Sequence, residues 1–309
     1  MTKVKRLLIL PLILINGLFS QLSFAQNIEL KKFGENPGNL KATFYAPKKK
    51  QPTLVVLLHG CAQHGDELAK QSGLSSLAEQ YQFALLLPQQ GLTNNIKRCF
   101  NWYSNEDYTK NSGENLSLKN MITTLKKQLG SEEIYIIGLS GGGAMASTML
   151  VNYPSLFSGG AIVAGIPFPC ANGLITGISC MRNGPSQTVQ ELVGLAEKIN
   201  FNQERLPKIS VWTGVADNIV NPVNSSKLAE QWALLSKITT APFVIKKSDY
   251  KISSWKNNQQ QVQVELVEVD NLGHGMMVNP NIESGGEVSD YLLAAPISTA
   301  QHLVKFWGL

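Results

Sequence analysis

The fold of this chain is decided by residues 133–150, which read EIYIIGLSGGGAMASTML. The β-branched and aromatic residues before Ser140 predict a buried strand, and the small and apolar residues after it predict a helix. Glycines on both sides of the serine allow a sharp turn that lifts its hydroxyl above the sheet. We therefore predict a strand, a turn with a nucleophilic serine and a helix, although the G-x-S-x-G pattern alone also fits a plain glycine turn.

Two downstream loops supply an acid and a histidine in the order that such a serine requires. Asp217 follows the strand-like run 207–214, and His274 lies between glycines after the alternating run 263–269. Ligand sites of open α/β sheets lie at the carboxyl ends of the strands. The sequence thus predicts that His274 takes the proton of Ser140 while Asp217 orients the imidazole ring.

Other histidines and aspartates fit these two roles less well. His302 lies in a helix-like pattern at the C-terminus, and His59 and His64 precede the serine in the chain. Asp270 is the rival acid, but its place at a strand end suits a turn or a cap. The pair above is therefore preferred, although the base could also be an ordinary loop histidine that bonds to the backbone.

An early strand ends in a turn that can stabilise negative charge. Residues 53–58 are almost entirely apolar, as in a buried parallel strand, and His59, Gly60 and Cys61 follow. Such a turn presents the backbone N–H of Cys61, which together with the N–H of Gly141 predicts an oxyanion hole. The alternative is an ordinary turn between a strand and a loop.

Strand-like and helix-like patterns alternate along the chain, after a hairpin-like region at 27–46. This alternation predicts an α/β fold with a mostly parallel sheet and helices on both faces. The predicted strands are 53–58, 83–87, 133–138, 160–164, 208–213 and 262–269, and the predicted helices are 66–81, 116–129, 142–152, 189–199 and 225–235.

The N-terminus has the parts of a secretory signal peptide. Basic residues come first, an apolar run covers 7–15, and small residues precede a cleavage site between Ala25 and Gln26. We expect residues 1–25 to be removed and residues 26–309 to form a single catalytic domain. A retained membrane anchor is the alternative, but the apolar run is short for a membrane span and is interrupted.

Composition indicates a globular protein without a nucleic-acid partner. Of the residues, 43% are hydrophobic and 16% are charged, and the formal net charge is +5. Three of the 27 basic residues lie in the leader, so 24 bases against 22 acids leave a charge of +2 on the mature chain. No basic patch suggests nucleic-acid binding. We also expect no metal and no cofactor.

Four runs together resemble the polyhydroxybutyrate depolymerase-type esterases, which are secreted α/β-hydrolases related to feruloyl and acetylxylan esterases. The runs are LVVLLHGCAQ at 54–63, RCFNWY at 98–103, GLSGGGAM at 138–145 and GHG at 273–275. The resemblance covers roughly residues 40–309, and the HGC and RCFNWY runs are far more specific than the serine motif. It implies an α/β-hydrolase fold and a carboxylic ester hydrolase.

Two residues depart from the family pattern, and several others are candidates for the substrate pocket. Gly141 stands where such families usually have alanine, and Gly275 stands where a larger residue is expected. We expect substrate contacts from His59, Trp102 and Tyr103, although plain core packing fits these rings as well. The Gly/Pro-rich segment at 167–206 is the predicted lid or pocket wall.

Four cysteines in an exported protein predict two disulfides, for which three connectivities exist. Cys170 and Cys180 lie ten residues apart in a loop-rich stretch and can close a small ring. Cys61 and Cys99 both lie in strand-end loops expected near the active site, so we pair these two as well. Free buried thiols remain the alternative.

These observations favour an extracellular or periplasmic serine esterase that forms an acyl-enzyme on Ser140. The expected substrate is a short-chain polyhydroxyalkanoate or its oligomers, and the second choice is a feruloyl or acetyl ester of plant polysaccharide. A non-catalytic binding protein on a hydrolase scaffold is the alternative of another class. No linker or binding module follows the catalytic region, so we expect weak action on solid polymer. We expect no stable membrane anchor after signal cleavage, and the oligomeric state stays open.

Overall fold

Ten strands form one sheet in the computed structural model, which describes residues 27–200 and 206–309. The predicted signal peptide and its cleavage site lie outside the described residues, and the single domain over 26–309 stays a prediction. The strands are β1 (Ile28–Glu29), β2 (Lys41–Tyr45), β3 (Leu54–Leu58), β4 (Ala84–Gln89), β5 (Ile134–Leu139), β6 (Gly159–Val163), β7 (Lys208–Gly214), β8 (Phe243–Lys246), β9 (Tyr250–Lys256) and β10 (Val262–Val269).

Helices connect most of these strands, and a second, two-stranded sheet pairs β11 (Met276–Val278) with β12 (Leu292–Ala294) in parallel. Among the described residues, no helix is both long and apolar enough to cross a membrane. The helices are α1 (Gly65–Gln71), α2 (Leu74–Tyr81), α3 (Asn105–Tyr108), α4 (Gly113–Leu129), α5 (Gly141–Asn152), α6 (Leu174–Asn183), α7 (Val189–Asn200), α8 (Val223–Leu235) and α9 (Thr299–Trp307), with a 3-10 turn at Pro154–Leu156.

The centre of the large sheet is parallel and its margins are antiparallel. The strand order is β1-β2-β4-β3-β5-β6-β7-β10-β9-β8. The strands from β4 through β10 in this order pair in parallel, whereas β1, β2, β9 and β8 join antiparallel. The carboxyl ends of the six parallel strands therefore meet along one edge, where a site can be assembled from several loops.

Helices cover both faces of the sheet, as the alternation of patterns predicts. Leu54, Val56 and Leu58 of β3 pack in one core with residues of α4, α5 and α8. Val55 and Leu57 point the opposite way, into a second core with residues of α1, α2 and α9. Because β3 is buried on both faces, its sequence is a continuous apolar run. The predicted α/β-hydrolase fold is confirmed.

Two sequence expectations need correction. The helix predicted over 66–81 is two helices, α1 and α2, because Gly73 between them has φ +85° and a Cβ there would lie 2.2 Å from the carbonyl oxygen of Ser284. In the segment at 167–206, helix α7 matches the helix predicted at 189–199, whereas helix α6 was not predicted. Strands β8 and β9 were not predicted.

Candidate active site

The turn between β5 and α5 holds Ser140 in a conformation that few residues adopt. Its φ of 55° and ψ of −118° lie outside the common regions for a residue with a side chain. The neighbouring glycines are required, because a Cβ on Gly138 would lie 2.1 Å from the carbonyl oxygen of Gly142, and one on Gly142 would lie 2.3 Å from that of Leu58. The backbone N–H of Ser140 donates to the carbonyl of Val163 at 2.9 Å, which fixes the turn to β6.

His274 connects the serine to an acid. Its Nε2 lies 2.9 Å from Oγ of Ser140, and its Nδ1 lies 2.7 Å from Oδ2 of Asp217. A carboxylate can only accept a hydrogen bond, so the ring proton belongs on Nδ1 and Nε2 is left to accept from the serine hydroxyl. The structure therefore brings the three predicted residues into one hydrogen-bonded chain.

The carboxyl group of Asp217 is held in place by its own loop. Its Oδ1 accepts hydrogen bonds from the backbone N–H groups of Ile219 at 2.8 Å and Val220 at 2.9 Å. The side chain is fully buried beside the histidine. The rival acid, Asp270, is exposed, and its backbone N–H bonds to Asp249. Only Asp217 is thus in contact with His274.

The predicted oxyanion turn lies directly beside the serine turn. A Cβ built on Gly141 would lie 3.2 Å from Sγ of Cys61. In the part of the chain that the structure describes, the N–H groups of Cys61 and Gly141 donate to no protein acceptor. The turn is fixed at Gly60, whose N–H donates to Oε1 of Gln63 at 2.8 Å. Both amides are therefore free to bind a developing oxyanion.

His59 supports this turn from inside the protein and is not placed to touch a substrate. It is completely buried, its Nδ1 lies 2.7 Å from the carbonyl oxygen of Gly60, and its Nε2 accepts from the N–H of Gln90 at 3.1 Å. Burial lowers the pKa of His59 to about 4, so the ring is neutral at ordinary pH. The expected substrate contact does not fit this geometry.

Trp102 and Tyr103 lie behind the oxyanion turn. Their rings meet edge to face with centroids 5.4 Å apart, and Nε1 of Trp102 lies 3.8 Å from the position of a Cβ on Gly141. The hydroxyl of Tyr103 accepts from Nδ2 of Asn95 at 3.3 Å. Neither ring lines the cleft at the serine, so their role as substrate contacts stays a prediction.

A small cleft of about 140 Å³ opens at Ser140 and His274. Three apolar side chains line it in addition to the turns that carry Ser140, Cys61 and His274: Met181, Ile219 and Tyr291. Sequence reasoning missed all three. Met181 belongs to the segment predicted as a pocket wall and Ile219 lies two residues after the predicted acid, so a weak signal existed for these two.

Tyr291 reaches the cleft through the small sheet, for which the sequence has no clear signal. The N–H of Met276 donates to the carbonyl of Tyr291 at 2.8 Å, and the tyrosine ring lies edge to face with His274 at 6.0 Å. This close approach also explains Gly275, because a Cβ there would lie 2.6 Å from the carbonyl oxygen of Tyr291. Similarly, an alanine at Gly141 would press against Cys61.

The structure contains both favoured disulfides, Cys61–Cys99 and Cys170–Cys180, and no free cysteine among the described residues. The first bond joins the oxyanion turn to the loop before Trp102. The second bond ends next to Met181, whose carbonyl accepts from the N–H of Asn221 at 2.9 Å. Each disulfide therefore fixes one wall of the cleft.

Comparisons with known proteins agree with this geometry. A family model described as Esterase PHB depolymerase matches residues 42–247. Poly(3-hydroxyalkanoate) depolymerase C of Paucimonas lemoignei is 32% identical over 293 residues, which are 91% of this chain and 70% of that protein. Feruloyl esterase B of Talaromyces funiculosus is 26% identical over 239 residues, 73% of this chain and 67% of that one.

A solved structure has the same architecture. The acetyl xylan esterase from Aspergillus awamori superposes with a TM-score of 0.76 over 92% of this chain and 99% of its own, at 20% sequence identity. At this identity the likeness bears on the fold alone. The family match and the depolymerase relative bear on the chemistry, and together they show that this chain is a carboxylic ester hydrolase that belongs to the PHB depolymerase esterase family.

Proposed function

We propose that this esterase cleaves short-chain hydroxyalkanoate esters, such as poly-3-hydroxybutyrate or its oligomers, through an acyl-enzyme on Ser140. The observation that carries the proposal is the hydrogen-bonded chain from Oγ of Ser140 through His274 to Asp217. The serine hydroxyl is activated by a base that is itself oriented by a buried carboxylate.

In this mechanism, Oγ of Ser140 attacks the ester carbonyl carbon while Nε2 of His274 takes the hydroxyl proton. The carbonyl oxygen becomes negatively charged and accepts hydrogen bonds from the N–H groups of Cys61 and Gly141. The tetrahedral intermediate collapses, the C–O bond to the alcohol breaks, and the imidazolium returns its proton to the departing alkoxide. A water molecule, deprotonated by the same nitrogen, then releases the acid and restores the serine.

The size of the cleft favours a small acyl group. A closed apolar cavity of about 150 Å³ holds one benzene molecule, and the cleft beside Ser140 measures about 140 Å³. A four-carbon hydroxybutyryl group has no more heavy atoms than benzene and fits this space. A feruloyl group is larger than benzene, because its ring carries a propenoyl arm and two oxygen substituents. The depolymerase relative supports the same choice.

An acetyl ester of a polysaccharide is the second candidate. An acetyl group fits the same cleft, and acetylxylan esterase A of Aspergillus oryzae is 27% identical over 217 residues, which are 66% of this chain and 69% of that protein. We infer that the protein acts after export, where its two disulfides persist. The feruloyl ester ranks last because of its size.

The test is a panel of soluble 3-hydroxybutyrate dimers and trimers, acetylated xylan and ethyl ferulate, assayed with one preparation. We expect the highest kcat/KM on the hydroxybutyrate oligomers. A higher value on acetylated xylan would transfer the assignment to the second candidate. The control is Ser140→Ala, which should lose all turnover and all labelling by a fluorophosphonate. Labelling that persists in this variant would place the nucleophile elsewhere.

A further inference from the structure

A buried glutamate that does not belong to the Ser140–His274–Asp217 chain lies behind the oxyanion turn. Glu114, in the first turn of α4, has no exposed surface. Its Oε2 accepts from the backbone N–H of Asn101 at 2.8 Å, and its Oε1 accepts from Nδ2 of Asn101 at 2.9 Å and from Nε2 of Gln90. Burial raises the pKa of Glu114 to about 8, and the nearby charge of Asp107 adds a smaller increase. The three hydrogen bonds act in the opposite direction and lower the pKa. The raised pKa reflects the cost of ionising a carboxyl group that is removed from water.

One branch of the contacts runs from Glu114 to the backbone of the oxyanion turn. Gln90, which is also buried, bonds to Glu114 through its side chain and donates its backbone N–H to Nε2 of His59 at 3.1 Å. His59 then contacts the carbonyl oxygen of Gly60 at 2.7 Å. The next peptide N–H along the chain is that of Cys61. Three residues thus connect the carboxylate to a proposed oxyanion donor.

A second branch reaches the same turn from its other side. Oδ1 of Asn101 accepts from Nδ2 of Asn95 at 2.9 Å, and Oδ1 of Asn95 accepts from the N–H of Cys99 at 3.3 Å. Cys99 is bonded through its sulfur to Cys61. Glu114 therefore fixes Cys61 both through the backbone before it and through its disulfide partner.

We propose that Glu114 is a positioning residue that aims the N–H of Cys61 at the oxyanion of the transition state. The proposal rests on the function proposed above for that N–H. A donor of this kind acts only when it is held in place before the charge develops, so a small displacement lowers the rate without weakening the binding of the substrate.

The test compares Glu114→Gln with wild type on a soluble ester. One of the N–H donors from Gln90 or Asn101 would then face the amide N–H of the new glutamine in place of an oxygen. The loss of this hydrogen bond would loosen the oxyanion turn. We expect kcat to fall about tenfold, less than the loss on removing an oxyanion donor outright, with KM within about twofold. Affinity for an alkylboronic acid, which forms a tetrahedral adduct on the serine, should fall by a similar factor.

Glu265→Gln is the matched control, because Glu265 is the other buried glutamate among the described residues and lies outside the oxyanion turn. Its Oε1 accepts from Oγ of Ser210 at 2.6 Å and lies 2.8 Å from Nε2 of His302. We expect this variant to lose thermal stability and to keep the wild-type kcat. A loss of kcat equal to that of Glu114→Gln would show that replacing any buried glutamate has this effect, and would overturn the proposal.

A second variant removes one of the donors to Glu114. Gln90→Met leaves the glutamate in place and should show the same split between kcat and KM, even if Glu114→Gln does not fold. Wild-type kcat and boronate affinity in either folded single variant would overturn the proposal, whereas turnover by Ser140→Ala would overturn the proposed function instead.

Discussion

The carboxylate of Asp217 lies 2.7 Å from Nδ1 of His274, and its side chain is fully screened from solvent. Its other oxygen accepts from two backbone N–H groups of the same loop, which leaves a single direction for contact with the ring. The loop thus holds the carboxyl group of Asp217 in the orientation in which it contacts His274.

Asp217→Asn should keep the fold and lose on the order of 10⁴ in kcat. Oδ1 of an amide can still accept from Ile219 and Val220, so its NH₂ group faces Nδ1 of His274 and imposes the wrong tautomer. Turnover of p-nitrophenyl butyrate measures the loss. The control is Asp270→Asn, which changes an exposed side chain and should be near wild type. An inactive Asp270→Asn beside an active Asp217→Asn would reverse the assignment of the acid.

Gly142→Ala should prevent folding or strongly destabilise the protein. The control is Gly194→Ala, because Gly194 also lies inside a helix. Helix propensity alone favours alanine at either position by about 1 kcal/mol. However, a Cβ on Gly142 would lie 2.3 Å from the carbonyl oxygen of Leu58, whereas a Cβ on Gly194 meets nothing within 4 Å. Chemical denaturation should therefore show Gly194→Ala at or above wild-type stability. Equal stability of both variants would mean that helix α5 can move away from strand β3 to make room for the methyl group.

The buried imidazole of His59 should make the protein sensitive to acid. Its pKa is lowered to about 4 by burial, against 6.5 in the unfolded chain. Between pH 6.5 and pH 4 the unfolded chain binds a proton at His59, whereas the folded protein does not. The free energy of unfolding therefore falls as pH falls, and at pH 4 it is lower by about 3 kcal/mol than above pH 6.5. Above pH 6.5 this contribution to stability is fully present.

Glu114 acts in the opposite direction over part of this range. Its folded pKa of about 8 exceeds the unfolded value of 4.5, so it lowers the free energy of unfolding as pH rises from 4.5 to 8. The measurement is therefore a difference, urea unfolding of wild type minus that of His59→Gln, from pH 4 to pH 7.5. We expect this difference to grow with pH up to 6.5 and then to level off. Parallel curves would show that His59 has the same pKa in the folded protein as in the unfolded chain.

Met181→Ala should widen the cleft and shift the substrate preference. Met181 is one of three apolar side chains beside the serine, and its removal makes room for a bulkier acyl group. We expect kcat/KM for ethyl ferulate to rise relative to that for a hydroxybutyrate dimer. Leu174→Ala is the control on the same helix, since Leu174 is 56% exposed and lies outside the cleft. The same ratio of kcat/KM in all three proteins would show that Met181 does not limit acyl size.

The residues that the structure brings together at the site were predictable because their signals are local. Ser140, Asp217 and His274 each follow a strand-like run, and the parallel arrangement brings strand ends to one edge. The central strands were equally clear, since a strand such as β3 that is buried on both faces is apolar throughout.

The remaining features depend on contacts between distant parts of the chain. Ser284 leaves no room for a side chain at Gly73, where the helix breaks, and Tyr291 reaches the cleft beside the pairing of β12 with β11. Strand β8 is exposed along its whole length, so its pattern does not show the alternation that marks a half-buried strand. The structural role of His59 follows from its full burial, which a single HG pair in the sequence does not reveal.

The bond between Cys61 and Cys99 links the geometry of the proposed oxyanion turn to the redox state of two cysteines. Cys61 carries a proposed oxyanion donor on its backbone, and its sulfur fastens that backbone to the neighbouring loop. Such a fastening forms under oxidising conditions and is absent from a freshly made chain in a reducing cytosol. The oxyanion turn would therefore reach the geometry seen here only after Cys61 and Cys99 have been oxidised.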